Sequence, residues 1–146
     1  MAVRSALDVI SDYAAAMTEN DVALMESLRA ESFVLDFVHY DASADLPLSA
    51  EITRNFWPAW FAAFPESDYE ITRTIASPDV VVTQWVFIGT HEKPLGPPVF
   101  DEPVAPTGRT IRFRGASVYD VEGGLIQRET LYIDLATVMV ELGVEL

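Results

Sequence analysis

The first third of the chain places hydrophobic residues at intervals of three and four positions, which is the spacing of amphipathic helices. This spacing predicts a helix over residues 2–18 and a shorter second helix capped by Asn20 or Asp21. The stretch "FVLDFVHY" (33–40) then alternates between hydrophobic and polar residues and predicts a strand. The chain therefore begins with two helices followed by one strand.

A third helix is predicted within "LSAEITRNFWPAWFAAF", where Ser49 is a suitable N-cap. Pro58 lies inside this segment. Because proline lacks a backbone N–H and clashes with the preceding turn, we expect the helix to kink or to begin near Pro58. Pro65 is expected to end it.

From Asp68 onward the hydrophobic period changes to two, which is typical of strands. Short turn sequences, "SPD" and "EGG", and one proline-rich linker separate the strands and predict an antiparallel meander. The predicted strands are Tyr69–Ala76, Val80–His91, Thr110–Val121 and Leu125–Ile133.

The strand at 80–91 is largely apolar on both faces. Because an antiparallel sheet normally leaves one face to water, we expect helices and a cavity on one side and a second copy of the chain on the other. This predicts a homodimer through the sheet face. The residues predicted to share one face are Val81, Thr83, Trp85, Phe87, Gly89 and His91.

The linker over residues 92–105 contains much of the chain's proline and predicts no regular element. It is interpreted either as a lid or rim over the space that the sheet encloses, or as a tolerated surface insertion. The sequence leaves both interpretations open.

Composition narrows the classes of function. The 146 residues have a net charge of −14, which repels nucleic acid and anionic membranes, and they include no cysteine. No apolar run is long enough to span a membrane and no leader-like segment is found, so a cytoplasmic protein of one domain (1–146) is expected. The high hydrophobic content, 50%, favours an internal pocket or a dimer interface.

Four short motifs occur in a fixed order: "GTH" at 89–91, "PTGR" at 106–109, "FRG" at 113–115, and an aspartate followed eight residues later by "LG". With the order of helices and strands, they make the chain resemble the SnoaL-like polyketide cyclase family of the nuclear-transport-factor-2-like (cystatin-like) superfamily. The resemblance implies an α+β, cone-shaped fold in which a curved antiparallel sheet wraps around N-terminal helices and leaves an internal apolar pocket, usually in a dimer. Members include both enzymes and non-catalytic modules, so the fold alone leaves the function open.

The resemblance also implies roles for individual residues. Asp134 matches the family's acid/base aspartate, and His91 matches the histidine of "GTH". Thr130 departs from the family, where an indole commonly stands. Tyr13 and Asp36 lie roughly where steroid isomerases of the superfamily have their oxyanion tyrosine and their base, but that site lacks its second acid here.

Asp134 has a structural interpretation as well, since aspartate at the start of a helix is a favoured N-cap. The alternation of the last strand places Asp134 on the side of Ile126, Arg128, Thr130 and Tyr132. We predict that this even-numbered side faces the cavity, which would desolvate the carboxylate and raise its pKa. Glu129, on the other side, is predicted to be solvated or interfacial.

His91 and His39 are candidates for holding a substrate oxygen, and each has the alternative of a hydrogen-bonded core histidine. Two histidines without a metal-binding spacing predict no metal site, and no other cofactor is implied. The residues predicted to bind a ligand are Tyr13, Asp36, Trp57, Trp60, Trp85, Phe87 and Tyr132.

The leading interpretation is an enzyme in which Asp134 moves a proton on a small, flat, apolar carbonyl compound, as in a polyketide cyclase or isomerase, while His91 or His39 stabilises the oxyanion. The alternative is a non-catalytic module of the same fold that binds a small molecule or serves as a dimeric scaffold.

Overall fold

A computed structural model of the protein describes residues 3–38, 49–100 and 102–144. The described part of the chain combines four helices with one five-stranded sheet. The helices are α1 (Ala6–Thr18), α2 (Val22–Ser27), α3 (Ala50–Ala63) and α4 (Leu135–Leu142), and the strands are β1 (Arg29–Val38), β2 (Ser67–Ala76), β3 (Val80–Thr90), β4 (Thr110–Glu122) and β5 (Leu125–Ile133). The predicted α+β class is confirmed.

Each described helix begins at a side-chain oxygen that accepts a backbone N–H of the first turn. Ser49 caps α3 as predicted, and Asp21 rather than Asn20 caps α2. Helix α3 continues through Pro58, so it does not begin near that proline, and the alternative of a kink there stays a prediction. None of the described helices is long and apolar enough to cross a membrane.

The strands lie in the order β1-β5-β4-β3-β2. Strands β2 to β5 form the predicted antiparallel meander. Strand β1, for which the sequence predicted no partner, pairs with β5 in parallel, so the curved antiparallel sheet has one parallel pair at its edge. A parallel partner requires a long crossover, which the chain between β1 and β5 provides.

The sheet is curved by irregularities in strand pairing. Register shifts occur in the β2–β3 pair between Ile71 and Arg73, and in the β4–β5 pair between Asp120 and Val121. An extra residue on one strand bends it and increases its twist. The helices lie against the resulting inner face, where the hydrophobic core forms.

Strand β3 has the face predicted for it, since its odd-numbered residues are buried and its even-numbered residues are half-buried or exposed. The outer face carries half-buried Val82 and Val86 and a partly exposed Ile88. A second copy of the chain on this face stays a prediction.

Candidate functional site

A narrow cavity of about 20 Å³ lies between the inner sheet face and the helices α1 and α3. Aromatic rings form most of its wall, and Trp57, Trp60, Trp85 and Phe87 are among them, as predicted for the pocket. The lining residues are Met17, Phe56, Trp57, Trp60, Phe61, Ser67, Tyr69, Trp85, Phe87, Phe113, Leu131 and Ile133. Ligand contact by these residues stays a prediction.

The rings hold one another in fixed orientations. Trp60 meets Phe87 and Phe113 edge to face, with centroid distances of 5.4 and 5.7 Å. Trp57 stacks on Phe61 at 5.8 Å with an interplanar angle of 20°. Because such pairs favour defined geometries, the rings support one another in the orientations seen here, and the wall that they form is largely apolar.

A buried polar cluster adjoins this wall on the inner sheet face. Strand register places Thr83 beside Ser117 and Tyr119 beside Glu129, in two neighbouring rows. All four side chains are at most 2% exposed. Glu129, predicted to be solvated or interfacial, is 0% exposed, so that prediction is wrong.

Hydrogen bonds connect Glu129 to the cavity wall. Trp85 Nε1 donates to Ser117 Oγ at 3.0 Å, and Ser117 Oγ donates to Glu129 Oε2 at 3.3 Å. The other carboxyl oxygen, Oε1, has no hydrogen-bond partner among the described residues. Ser117 thus positions one oxygen of the carboxyl, and Glu129 lies behind the cavity wall rather than among the lining residues.

Three tyrosines and one arginine surround this carboxyl. Tyr13, Tyr69 and Tyr119 are buried, and the Tyr13 hydroxyl accepts hydrogen bonds from Arg29 Nη2 at 2.6 Å and Nε at 3.0 Å. The Arg29 guanidinium also lies 4.5 Å from the centre of the Phe33 ring. Tyr13 therefore belongs to the polar cluster, although it does not line the cavity.

Burial raises the pKa of the Glu129 carboxyl above its usual range, and Arg29 and the hydrogen bond from Ser117 oppose this less strongly. Burial, followed by the charge of Glu129, also raises the pKa values of Tyr13 and Tyr119, which therefore keep their protons at neutral pH. A carboxyl with a raised pKa exchanges protons nearer to neutral pH than an exposed one does.

Asp134 lies elsewhere. It is exposed and caps α4, where its Oδ1 accepts the backbone N–H of Thr137 at 3.1 Å and its Oδ2 accepts the Thr137 hydroxyl proton. These hydrogen bonds lower the pKa of Asp134. The prediction that the even-numbered side chains at the end of the last strand face the cavity is wrong, because Leu131 and Ile133 line it instead.

The cause is a bulge in β5. Ile126 pairs with Val121 and Arg128 with Asp120, so Gln127 is an extra residue between two neighbouring pairs. Since side chains alternate with period two, one extra residue exchanges the two faces of the strand beyond it. Ile126 is buried on an even number, whereas Glu129 and Leu131 are buried on odd numbers.

Tyr132 follows the same reversal and is 48% exposed. It lies with Asp134 at an open groove on the outside of the sheet, together with Arg114 and Gln84. The prediction that Tyr132 lines the cavity is wrong for the same reason.

His91 is buried but does not line the cavity. Its Nδ1 accepts the backbone N–H of Thr107 at 3.2 Å, so the ring proton is on Nε2, which has no partner among the described residues. Burial lowers the pKa of His91, which keeps the ring neutral. The structure thus supports the alternative of a hydrogen-bonded core histidine, and the oxyanion role stays a prediction.

The motifs "GTH" and "PTGR" meet at this histidine. Besides the contact of Thr107, Arg109 Nη1 donates to the carbonyl of Glu141 at the end of α4, at 3.1 Å. Within the linker, Leu95 and Val104 pair in an isolated bridge and Leu95 is fully buried. None of the described linker residues lines the cavity, and a role as a lid stays a prediction.

Two further predicted residues are not brought to the cavity. Asp36 is buried in the row of Thr130, which is not the row that lines the cavity, and forms an ion pair with Arg128. His39 lies outside the described residues. Among the residues that the structure describes, no group of three or more acidic or histidine side chains could hold a metal ion.

Sequence reasoning missed Glu129, although one signal was available. Glu129, Leu131 and Ile133 alternate along β5, so a charged residue continues an apolar row. A carboxyl in such a row is either a mistake in the assumed face or a buried functional group.

Comparisons with known proteins agree with this architecture. Solved structures with the same fold include AclR from Streptomyces galilaeus, a proposed hydroxylase (TM-score 0.79, 18% identity, 94% of both chains), and a proposed SnoaL-like polyketide cyclase from Jannaschia sp. CCS1 (TM-score 0.77, 16% identity, 100% of both chains). IdmH from Streptomyces antibioticus, a proposed polyketide cyclase, is 25% identical with a TM-score of 0.72 over 94% of this chain and 98% of its own.

A comparison with curated proteins finds no match. The family model described as SnoaL-like polyketide cyclase matches residues 7–142, nearly the whole chain. The protein therefore belongs to the SnoaL-like polyketide cyclase family.

Proposed function

We propose that the protein is an enzyme that moves a proton at a carbon atom beside the carbonyl group of a small, flat, apolar compound, with Glu129 as the acid/base. The observation that carries this proposal is a fully buried carboxyl beside an aromatic cavity. The family and the similarity to IdmH, a proposed polyketide cyclase, support carbonyl chemistry of the polyketide type.

Glu129 replaces Asp134 in this proposal because the two carboxyls have opposite surroundings. A base that removes a proton from carbon is more effective when its pKa approaches the working pH. Burial moves Glu129 in that direction, whereas hydrogen bonds from Thr137 move Asp134 away from it. Exposed Asp134 also lacks the dry surroundings that strengthen charge interactions with a substrate.

The proton transfer balances within the site. Ionised Glu129 takes the proton from the α-carbon, the carbonyl becomes an enolate, and the neutral carboxyl then returns the proton to a carbon of the same molecule. In a ring closure, the enolate carbon would instead attack a second carbonyl, whose oxygen takes the proton from Glu129. Ser117 holds Oε2 in place during both steps, which leaves Oε1 to reach the substrate.

Substrate entry requires movement of the aromatic wall. A cavity of about 20 Å³ has room for about one water molecule, whereas small-molecule sites usually enclose several hundred Å³. Rotation of rings such as Phe61, which lines the cavity at the end of α3, would widen it. Flat bicyclic ketones are therefore the first compounds to test.

The test is hydrogen–deuterium exchange at the α-carbons of 2-tetralone and 2-indanone in D2O, followed by NMR. We expect the wild-type protein to accelerate exchange and Glu129→Gln to lose about 10²- to 10⁴-fold of that rate. Asp134→Asn is the matched control and should exchange like wild type. Equal loss in both variants, or loss in Asp134→Asn alone, would overturn the role of Glu129.

A non-catalytic binding module is the second candidate, and one observation favours it. The family-matched aspartate is exposed, and the residues that line the cavity include no charged side chain. If the wild-type protein binds these ketones without accelerating exchange, this second candidate replaces the enzyme.

A further inference from the structure

Buried polar atoms without partners are concentrated beside the cavity. Trp57 Nε1, Thr83 Oγ1 and Glu129 Oε1 each lack a hydrogen-bond partner among the described residues. Leaving a buried donor or acceptor unpaired costs about 1–3 kcal/mol, so such atoms need an explanation. Two of them, on Trp57 and Glu129, lie within reach of each other: a hydrogen-bond interaction of the indole with the carboxyl is among the smaller effects that lower the pKa of Glu129, although its geometry falls short of a full hydrogen bond.

These two atoms have complementary chemistry. The indole Nε1–H only donates a hydrogen bond, and an ionised carboxylate oxygen only accepts one. An enolisable ketone presents the matching pair, a carbonyl oxygen that accepts and an adjacent C–H that gives up its proton. We infer that Trp57 Nε1–H binds the carbonyl oxygen of the substrate and stabilises the enolate, while Glu129 Oε1 faces the adjacent carbon.

Trp57 is suited to this role by its fixed position. Its side chain lines the cavity, is 5% exposed, stacks on Phe61 and meets Phe56 edge to face at 5.2 Å. A donor that is already oriented needs no reorganisation when negative charge develops on the oxygen. Trp85, another indole of the cavity wall, already donates its Nε1–H to Ser117.

The inference rests on the proposed function and adds a substrate class to it: flat ketones that carry an α-hydrogen on the carbon next to the bound carbonyl. A phenolic hydroxyl on a fused ring imitates the enol of such a ketone. Its oxygen can accept from Trp57 Nε1–H while its proton is donated to Glu129 Oε1.

The experiment compares the binding of 2-naphthol with that of naphthalene by fluorescence titration. Wild type should prefer 2-naphthol at least tenfold, and Trp57→Phe should lose about tenfold of that preference, as expected for one hydrogen bond to a polarised oxygen. Trp60→Phe removes the same atoms from another indole of the same helix and cavity wall, and should change both affinities in parallel. The inference is overturned if Trp57→Phe keeps the wild-type preference or if Trp60→Phe loses it equally.

Naphthalene affinity reports whether the variant cavity is intact, so a loss of folding is recognised separately. A second measurement uses 2-tetralone exchange, in which Trp57→Phe should lower kcat more than it changes KM, because the enolate is stabilised more than the ketone. Failure of the two proposals can be distinguished. If Glu129→Gln loses exchange but Trp57→Phe keeps the naphthol preference, only the role of Trp57 is wrong; if Glu129→Gln retains exchange, the proposed base is wrong.

Discussion

Two carboxyl groups, five residues apart in sequence, have opposite surroundings in this protein. Glu129 is fully buried, contacts Ser117 and has a raised pKa, whereas Asp134 is exposed, contacts Thr137 and has a lowered pKa. Both accept a hydroxyl hydrogen bond, so hydrogen bonding alone does not separate them. Burial decides which of them is suited to accept a proton near neutral pH.

The two faces of the sheet beside these groups also differ in how closely they are packed. The inner face is packed so closely that the side chain of Trp85 fills the space above Gly115. The outer face near Ala116 and Tyr132 is an open groove. We therefore expect substitutions on the inner face to change stability more than chemically similar ones on the outer face.

The largest effect on stability is expected for Gly115→Ala. A Cβ atom there would lie 2.4 Å from Trp85 Cζ2 and 2.8 Å from the Tyr132 carbonyl oxygen, so the ring or the strand must shift. We expect the free energy of unfolding to fall by about 1–3 kcal/mol in urea titrations. Ala116→Ser on the outer face is the control, with a change below about 0.5 kcal/mol. Equal changes would mean that the two faces are packed alike.

A similar but more selective effect is expected for Ser117→Ala. This change leaves Glu129 Oε2 and Trp85 Nε1 without the partner they share, and should lower the free energy of unfolding by about 1–3 kcal/mol. Because the Ser117 hydrogen bond lowers the pKa of Glu129, its loss should also move the pH midpoint of 2-tetralone exchange upward.

The control for Ser117→Ala is Thr137→Ala at the other carboxyl. Asp134 keeps the backbone N–H of Thr137, and water replaces the lost hydroxyl, so stability should change by less than about 0.5 kcal/mol. The pH midpoint of exchange should stay at its wild-type value. A shift of that midpoint would connect Asp134 to the reaction.

Asp134→Ala tests the capping role by itself. Loss of the N-cap should lower the free energy of unfolding by about 1 kcal/mol. Asp134→Ser retains a capping oxygen and should lower the free energy of unfolding by only roughly a few tenths of 1 kcal/mol. Neither variant should alter the rate of 2-tetralone exchange. A rate loss that Ser does not restore would indicate that the carboxylate is needed for more than the cap.

The smallest effects concern the pH dependence of stability, and the two carboxyls should act with opposite signs. For Glu129 the folded-state pKa is raised, so its stabilising contribution is complete below the unfolded-state pKa and is lost as pH rises through the folded-state pKa. For Asp134 the folded-state pKa is lowered, so its contribution is present above the unfolded-state pKa and is lost as pH falls.

Urea titrations from about pH 3 to pH 8 measure these contributions. Compared with wild type, Glu129→Gln should lose less stability as pH rises, and Asp134→Asn should lose less as pH falls through the acidic range. Curves that differ from wild type in the same direction would contradict the assignment of one buried and one exposed carboxyl.

The sequence predicted one strand face correctly and another wrongly for a definite reason. In β3 the alternation from Val81 to His91 has no inserted residue, so the odd-numbered face is buried as expected. In β5 the extra residue Gln127 exchanges the two faces of the strand. Because the prediction assumed an uninterrupted alternation along β5, it placed Asp134 at the cavity. A bulge is recognised only from the residue-by-residue pairing of two strands, which the sequence of one strand does not contain.

His91 shows the same limit for contacts. Its position on the inner side of the sheet follows from alternation within β3 and its end. Its partner Thr107, however, lies 16 residues further along the chain and reaches Nδ1 only after the linker has folded back. That hydrogen bond decides the tautomer and makes the histidine part of the core.

By itself the sequence determined the α+β class, the Ser49 cap of α3, the meander of β2 to β5 and the family, because these follow from local periodicity, capping chemistry and motif order. Only the tertiary structure decided which carboxyl is buried, since one residue of register separates the inner from the outer face. Electrostatics then follows from that placement: water screens Asp134, while aromatic rings and tyrosines replace water around Glu129 and raise its pKa.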